Sequence, residues 1–230
     1  MSPWLYLVLA HLIGDFVLQP SELVKLKQRP IGLAIHAGIH SLIMLPVAAL
    51  IFPRWWLIVP VLGVIHYLID YAKVTLAPST GPASLAAALF DQAVHLGVLA
   101  MTVLLAGVPL RDDITFGPPS LAAVLYYATP YIAATFAGSI LVYQVAVAFR
   151  TRPAPEDLLS PWARLAGYAE RGLLLTVVLF LAPAFWAIGG VGYVARFGID
   201  RRHPRRWAEI GASVMITLAL GLLFRPGVNR

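Results

Sequence analysis

The sequence predicts an all-α protein, a polytopic transmembrane bundle of six to seven membrane segments. Three observations carry that reading. Of the 230 residues, 60% are apolar or aromatic and only 12% are charged, about half the charged share of an ordinary soluble domain. Mean hydropathy is +0.80. Several apolar stretches approach or exceed the roughly 20 residues a helix needs to cross a bilayer. A soluble enzyme and a disordered chain are thereby excluded. The absence of cysteine also excludes a disulfide scaffold, thiolate metal sites and thiol redox chemistry.

Charge and proline mark the loops and leave helices near 3–19, 31–52, 55–76, 84–108, 118–149, 172–195 and 207–224. The first is short and turns polar at its end. No basic n-region precedes it, and Gly14, Asp15 and Gln19 interrupt the apolar run, so it does not read as a cleaved signal peptide. The second, third and fourth are apolar runs between charged or proline-bearing loops. The fifth is long and carries Pro130, which predicts a kink or a surface extension. The sixth contains Pro183, Gly189, Gly190 and Gly192, so it either crosses or dips in and returns. Trp4, Trp55, Trp56, Trp162 and Trp207 fall near helix ends, where an interfacial belt requires them. The chain thus divides into a four-helix half, 1–110, and a C-terminal half, 111–230, with the long helix, the ambiguous segment and a basic loop.

Positive charge orients the bundle. Lys25, Lys27, Arg29, Lys73, Arg150, Arg152, Arg164 and Arg171 mark one side, and the other offers Arg54 and an Arg111 offset by Asp112 and Asp113. The N-terminus is therefore expected outside and the 20–30 loop in the cytoplasm. Arg196, Arg201, Arg202, Arg205 and Arg206 disagree if 172–195 crosses once. Six crossings with a re-entrant piece and seven full crossings both fit. The net charge of +6 orients helices and touches anionic lipid; it is not a nucleic-acid signal. Glu170, Arg171, Arg196 and Glu209 read as solvated anchors or as a rim that recognises a phosphate head group.

The chemistry lies in the first half. Four successive helices each carry two potential ligands four residues apart: His11 with Asp15, His36 with His40, His66 with Asp70, and Asp91 with His95. That spacing puts both side chains on one helix face and lets them grip one metal ion or two neighbouring ones. At about 1.5 Å per residue, all four pairs fall in one layer roughly 5–18 Å below the cytoplasmic helix ends. A lone intramembrane histidine is more often a packing residue. Eight ionisable groups in four pairs at one depth point instead to a functional centre.

Five imidazoles and three carboxylates suit zinc first, then manganese or iron, over calcium or magnesium. Eight ligands exceed one tetrahedral shell, so one or two ions are expected. Two ions would polarise a phosphoryl or acyl oxygen and activate a water. Asp15 or Asp91 is then the candidate general base. Gln19, Lys73 and Gln92 stand where they would support the ligands. Lys73 is expected to hold Asp70, to reach the head-group layer, or to serve as an ordinary anchor.

The segments His11–Gln19 (HLIGDFVLQ), His36 with His40, His66–Lys73 (HYLIDYAK) and Phe90–His95 (FDQAVH) resemble a family of bacterial inner-membrane proteins catalogued only as a domain of unknown function. The likeness continues in Gly167–Arg171, Ile188-Gly189, Ala195-Arg196-Phe197 and Glu209–Gly211. Where that pattern carries a lysine one turn before the Arg-Phe pair, this chain has Gly192. The resemblance implies a bacterial inner membrane and a shared site; it supplies no activity. A looser similarity is to membrane-bound metal-dependent hydrolases.

The expected function is a metal-dependent membrane hydrolase acting on a lipid or lipid-linked head group at the cytoplasmic leaflet. The alternatives are a metal-ion or proton transporter using the same pairs, and a haem or quinone redox protein. A structural scaffold leaves the ionisable layer unexplained. The first alternative requires polar residues through the outer helix halves, where Leu42–Ile51 and Val98–Leu105 offer almost none. The second does not account for three paired aspartates.

Overall fold

The computed structural model describes residues 2–108, 119–149, 161–194 and 206–226. Among them every regular element is helical. Helix α1 (Pro3–Leu12) runs into a π turn (Ile13–Val17), followed by α2 (Ser21–Leu26), α3 (Pro30–Ile51), α4 (Trp55–Leu76) and α5 (Pro82–Leu105). Then come α6 (Pro119–Ile132), a second π turn (Ala133–Ala137), α7 (Gly138–Ala148), α8 (Pro161–Phe180), α9 (Trp186–Gly189) and α10 (Arg206–Phe224). Five of these helices start on a proline, Pro3, Pro30, Pro82, Pro119 and Pro161. There the missing N–H is one that no helix satisfies internally, and the ring presets φ.

Among the described residues, five stretches are long and apolar enough to cross a membrane: Pro30–Ile51, Trp55–Leu76, Pro82–Leu105, Leu121–Ala148 and Trp207–Phe224. The fold is an all-helical, multi-pass membrane bundle. Three elements differ from the sequence reading. Helix α2 occupies what reads as a loop. Helix α8 begins at Pro161, so Arg164 and Arg171 lie in it and not in a connection. The 172–195 stretch is not one helix. Pro183 cannot donate to the ladder and crowds the turn before it, so α8 stops at Phe180. The chain then turns back along α8: a Cβ on Gly189 would meet Leu174 and Val177, and one on Gly192 would meet Glu170. Arg111, Asp112, Asp113, Arg150, Arg152 and the basic stretch from Arg196 through His203 to Arg205 lie outside the described residues.

The contacts divide the chain into two units, Met1–Ala77 with Ala86–Thr129, and Pro78–Leu85 with Pro130–Arg230. The boundary falls beyond 110 because the first part of α6 joins the N-terminal helices, where Leu125 packs on their core. In the first unit that core is built by Tyr6, Leu7, Met44, Phe52, Leu62 and Val103. It forms an apolar floor on one side of the layer that holds the histidines.

The second unit is organised around Arg171, which is buried, as are Glu170 and Glu209. These three do not form a solvated rim. Arg171 donates to Ser139 Oγ, to the Thr135 carbonyl (3.2 Å) and to Ser213 Oγ (3.3 Å). The Tyr193 hydroxyl meets the same Ser213 at 3.0 Å. Gly138 and Gly167 make room for the guanidinium side chain: a Cβ at either would stand 3.3 or 3.1 Å from it. The π turn through Ala133–Ala137 follows Pro130, whose ring opens the ladder one turn earlier.

One glycine fixes the elbow between α2 and α3. A Cβ on Gly32 would collide with the Leu26 carbonyl and stand 2.7 Å from the Lys27 backbone nitrogen. Only glycine lets α2 fold onto the start of α3. Gly32→Ala is expected to destabilise the protein by about 1–3 kcal/mol, read as a lower melting temperature in detergent. An unchanged melting temperature would mean that α2 does not rest there.

Candidate metal centre

The site begins at the end of α1. The first π turn closes with the Leu18 N–H donating to the Ile13 carbonyl at 2.9 Å. A π turn inserts one extra residue into the helical ladder, and here it carries Gly14 and Asp15. Gly14 faces α3 so closely that a Cβ would stand 2.8 Å from His40 Cδ2. With no side chain there, α3 comes near enough for its imidazoles to meet Asp15.

All eight ligands read from the sequence, His11, Asp15, His36, His40, His66, Asp70, Asp91 and His95, are buried, and the first unit brings them together. Asp15 is central. Its Oδ1 lies 3.4 Å from Nε2 of both His36 and His66 and 4.0 Å from Nε2 of His40. Its Oδ2 lies 3.6 Å from His11 Nε2. His36 Nε2 is 3.4 Å, and His66 Nε2 3.8 Å, from Asp70 Oδ2. His95 Nδ1 lies 3.7 Å from Asp91 Oδ1. The rings pack on one another, with centroids 4.0 Å apart for His40 and His66 and 4.5 Å apart for His66 and His95.

These nitrogen–oxygen separations exceed the 2.7–3.2 Å of a hydrogen bond. They fit another geometry. Two ligands about 2.1 Å from a tetrahedral ion stand roughly 3.4 Å from each other. Three overlapping groups have one donor atom per residue within 4.8 Å of the rest: His11, Asp15, His40 and His66; His36, His66 and Asp70; Asp70, Asp91 and His95. Asp15 Oδ1, both ring nitrogens of His36, His66 Nε2, Asp91 Oδ1 and His95 Nε2 are buried without a hydrogen bond. Native proteins rarely leave such atoms unsatisfied. Two contacts do satisfy geometry and prepare ligands. The His95 Nδ1–H donates to the Asp91 main-chain carbonyl at 2.9 Å, leaving a lone pair on Nε2 in the neutral ring. His11 Nδ1 and His40 Nε2 share a proton at 3.0 Å.

The supporting residues differ in one respect from expectation. Lys73 pairs with Asp91 (2.6 Å between Nζ and Oδ2), not with Asp70. Asp70 is taken by Lys27, also at 2.6 Å. The cause is lateral placement: α5 presents Asp91 to Lys73, while the elbow at Gly32 sets Lys27 over Asp70. Gln92 donates to Asp91 Oδ2 at 3.0 Å, and its Oε1 lies 3.4 Å from His11 Nε2. With Oδ2 thus held, Oδ1 of Asp91 is the oxygen left without a hydrogen bond. Gln19, its amide oxygen turned to Lys27, accepts from that ammonium at 3.0 Å and donates to the Asp15 main-chain carbonyl. Lys27 is the residue that sequence reasoning missed. It stands in a run of basic residues that reads as an orientation signal, and only Gly32 hints at the fold that brings it in.

Residues 4–115 match the model of a family described as a protein of unknown function (DUF3307). The match agrees with the family likeness expected from the sequence and covers this N-terminal stretch, just under half of the chain. All eight clustered His and Asp side chains, together with Gln19, Lys27, Lys73 and Gln92, lie within it; the likeness read at Gly167–Gly211 lies beyond it. No curated protein and no solved structure matches the chain.

The burial of the cluster has a direct readout. Carbethoxylation of His11, His36, His40, His66 and His95 is expected to be slow in the folded protein and fast in Gly14→Val, whose side chain would displace His40. Rapid modification of His36 in the unaltered protein, followed by mass spectrometry, would contradict the packing described.

Proposed function

We propose that the protein is a metal-dependent membrane hydrolase that acts on the head group of a lipid or lipid-linked substrate at the cytoplasmic leaflet of a bacterial inner membrane, with its N-terminus outside. The observation that carries this reading is the ligand cluster. Donor atoms from four helices converge at separations suited to coordination, and several have no hydrogen bond. Zinc is the first candidate, with manganese and iron next, as one or two ions.

A bound ion would supply a polarised ester oxygen and an activated water. The chain's own residues divide the remaining work. Asp15, with imidazoles near both oxygens, would serve as the central ligand. Asp91 has Oδ2 held by Lys73 and Gln92, and its other oxygen would take the proton of the attacking water. Lys73 and Gln92 orient that carboxylate. The ester bond breaks as the water oxygen adds, and the leaving alcohol regains a proton from the same carboxyl group.

Two features favour this over the alternatives. The apolar floor of Tyr6, Leu7, Met44, Phe52, Leu62 and Val103 interrupts any polar path beyond the ligand layer, which tells against transport. The imidazoles touch one another, with centroids 4.0–5.2 Å apart for most neighbouring pairs, which leaves no slot for a porphyrin.

Metal analysis by mass spectrometry of detergent-purified protein is expected to give one or two equivalents of zinc, manganese or iron, lost in a His36→Ala, His66→Ala double variant. Metal that is absent, and cannot be reloaded, sinks the reading. Asp15→Asn is expected to lose metal as well. Asp91→Asn is expected to keep it but to release phosphate from phosphatidic acid at least about a hundredfold more slowly, the scale of one general base.

A further inference from the structure

We propose that Lys27 and Lys73 form an anion-binding pair at the mouth of the metal centre, and that the substrate they select carries a phosphate group. This rests on the metal-centre reading above and deepens it. The two lysines reach the cluster from different elements, the α2 elbow and the end of α4, and each touches a different carboxylate at 2.6 Å. Their side chains are 13% and 36% exposed, whereas the aspartates they meet are 4% and 3% exposed. They are the border between the buried ligands and the outside.

Charge balance gives this border a purpose. Counting imidazoles as neutral, three carboxylates against two ammoniums leave the site one negative charge. One divalent ion turns that into a net charge of +1, and two turn it into +3. A surplus of positive charge among buried groups is costly unless an anion joins it. If the lysines served only to neutralise aspartates in a metal-free scaffold, three buried carboxylates would require no acceptor-only ligand. With metal present, the surplus positive charge calls for one. An ammonium has three donors. Lys73 gives one to Asp91 and remains partly exposed, so it can also donate to an incoming oxygen. Lys27 gives one to Asp70 and one to Gln19, which leaves a third. A phosphate ester bears the negative charge and the acceptor oxygens that two ammoniums and a metal recognise together. A neutral acyl ester or amide lacks the charge.

The test is titration of inorganic phosphate into the zinc-loaded full-length protein in detergent, alongside nanodiscs of phosphatidylcholine with and without phosphatidic acid. Lys27→Gln and Lys73→Gln are each expected to weaken phosphate binding about tenfold, the scale of one charge-assisted hydrogen bond, with metal content unchanged. Lys73→Arg, which keeps the charge, should stay within about threefold of the unaltered protein. Binding of free phosphate identifies the group itself as sufficient. Binding seen only with phosphatidic acid nanodiscs identifies the lipid head group as the source, and both results support the proposal. Phosphate affinity unchanged in the double Gln variant overturns it, as does failure of both probes to bind the metal-loaded protein. Loss of metal from Lys27→Gln would show that Lys27 acts by holding Asp70 and not by binding an anion. Failure of the unaltered protein to hold metal is a separate result: it removes the metal reading and, with it, the surplus charge.

Discussion

Three carboxylates and five imidazoles set into the apolar helices of the first unit are the constraint on which that unit depends. In hydrocarbon a polar atom has no water to fall back on, so each must be met from within the protein or by something the protein binds. Several local peculiarities serve that end. The π turn re-aims Asp15, Gly14 lets α3 approach, and the elbow at Gly32 lowers Lys27 onto Asp70. None of these would be needed to pack an apolar bundle. They bring charge to charge across four helices, and they leave several donor atoms facing one another without bonds.

How much of this was legible follows from the type of signal. The four pairs were readable because an ionisable group in an apolar run is conspicuous and a spacing of four defines a helix face. Their common depth followed from counting residues along each helix. Lateral partners were not readable. Asp70 and Lys73 stand three apart on one helix, which invites pairing them, yet Asp91 on α5 offers Lys73 a closer oxygen. The π turn left no trace either, because Ile13, Phe16 and Val17 suit an α-helix as well.

The C-terminal unit shows a different limit. Marking loops by charge and proline placed a segment at 172–195 and missed that α8 already begins at Pro161 among polar residues. Arg171 looks like a boundary marker by composition alone. Its burial depends on Gly138 and Gly167, one of them far from it in sequence, and on hydroxyls from Ser139 and Ser213 that complete its hydrogen bonds. A charge can lie inside a membrane bundle when small residues clear its path and hydroxyls meet it, and neither condition is visible in a charge count.

The brevity of α1 has a consequence for biogenesis. Its ten α-helical residues and the five of its π turn carry His11 and Asp15, and a carboxylate on an isolated helix costs up to about 3.5 kcal/mol to insert. Beside His11 on α1 itself, the groups that accommodate Asp15 belong to α3 and α4, which the ribosome makes later. This segment thus reaches its settled position only after α3 and α4 have emerged. Order of synthesis and order of stabilisation run in opposite directions at this end of the chain.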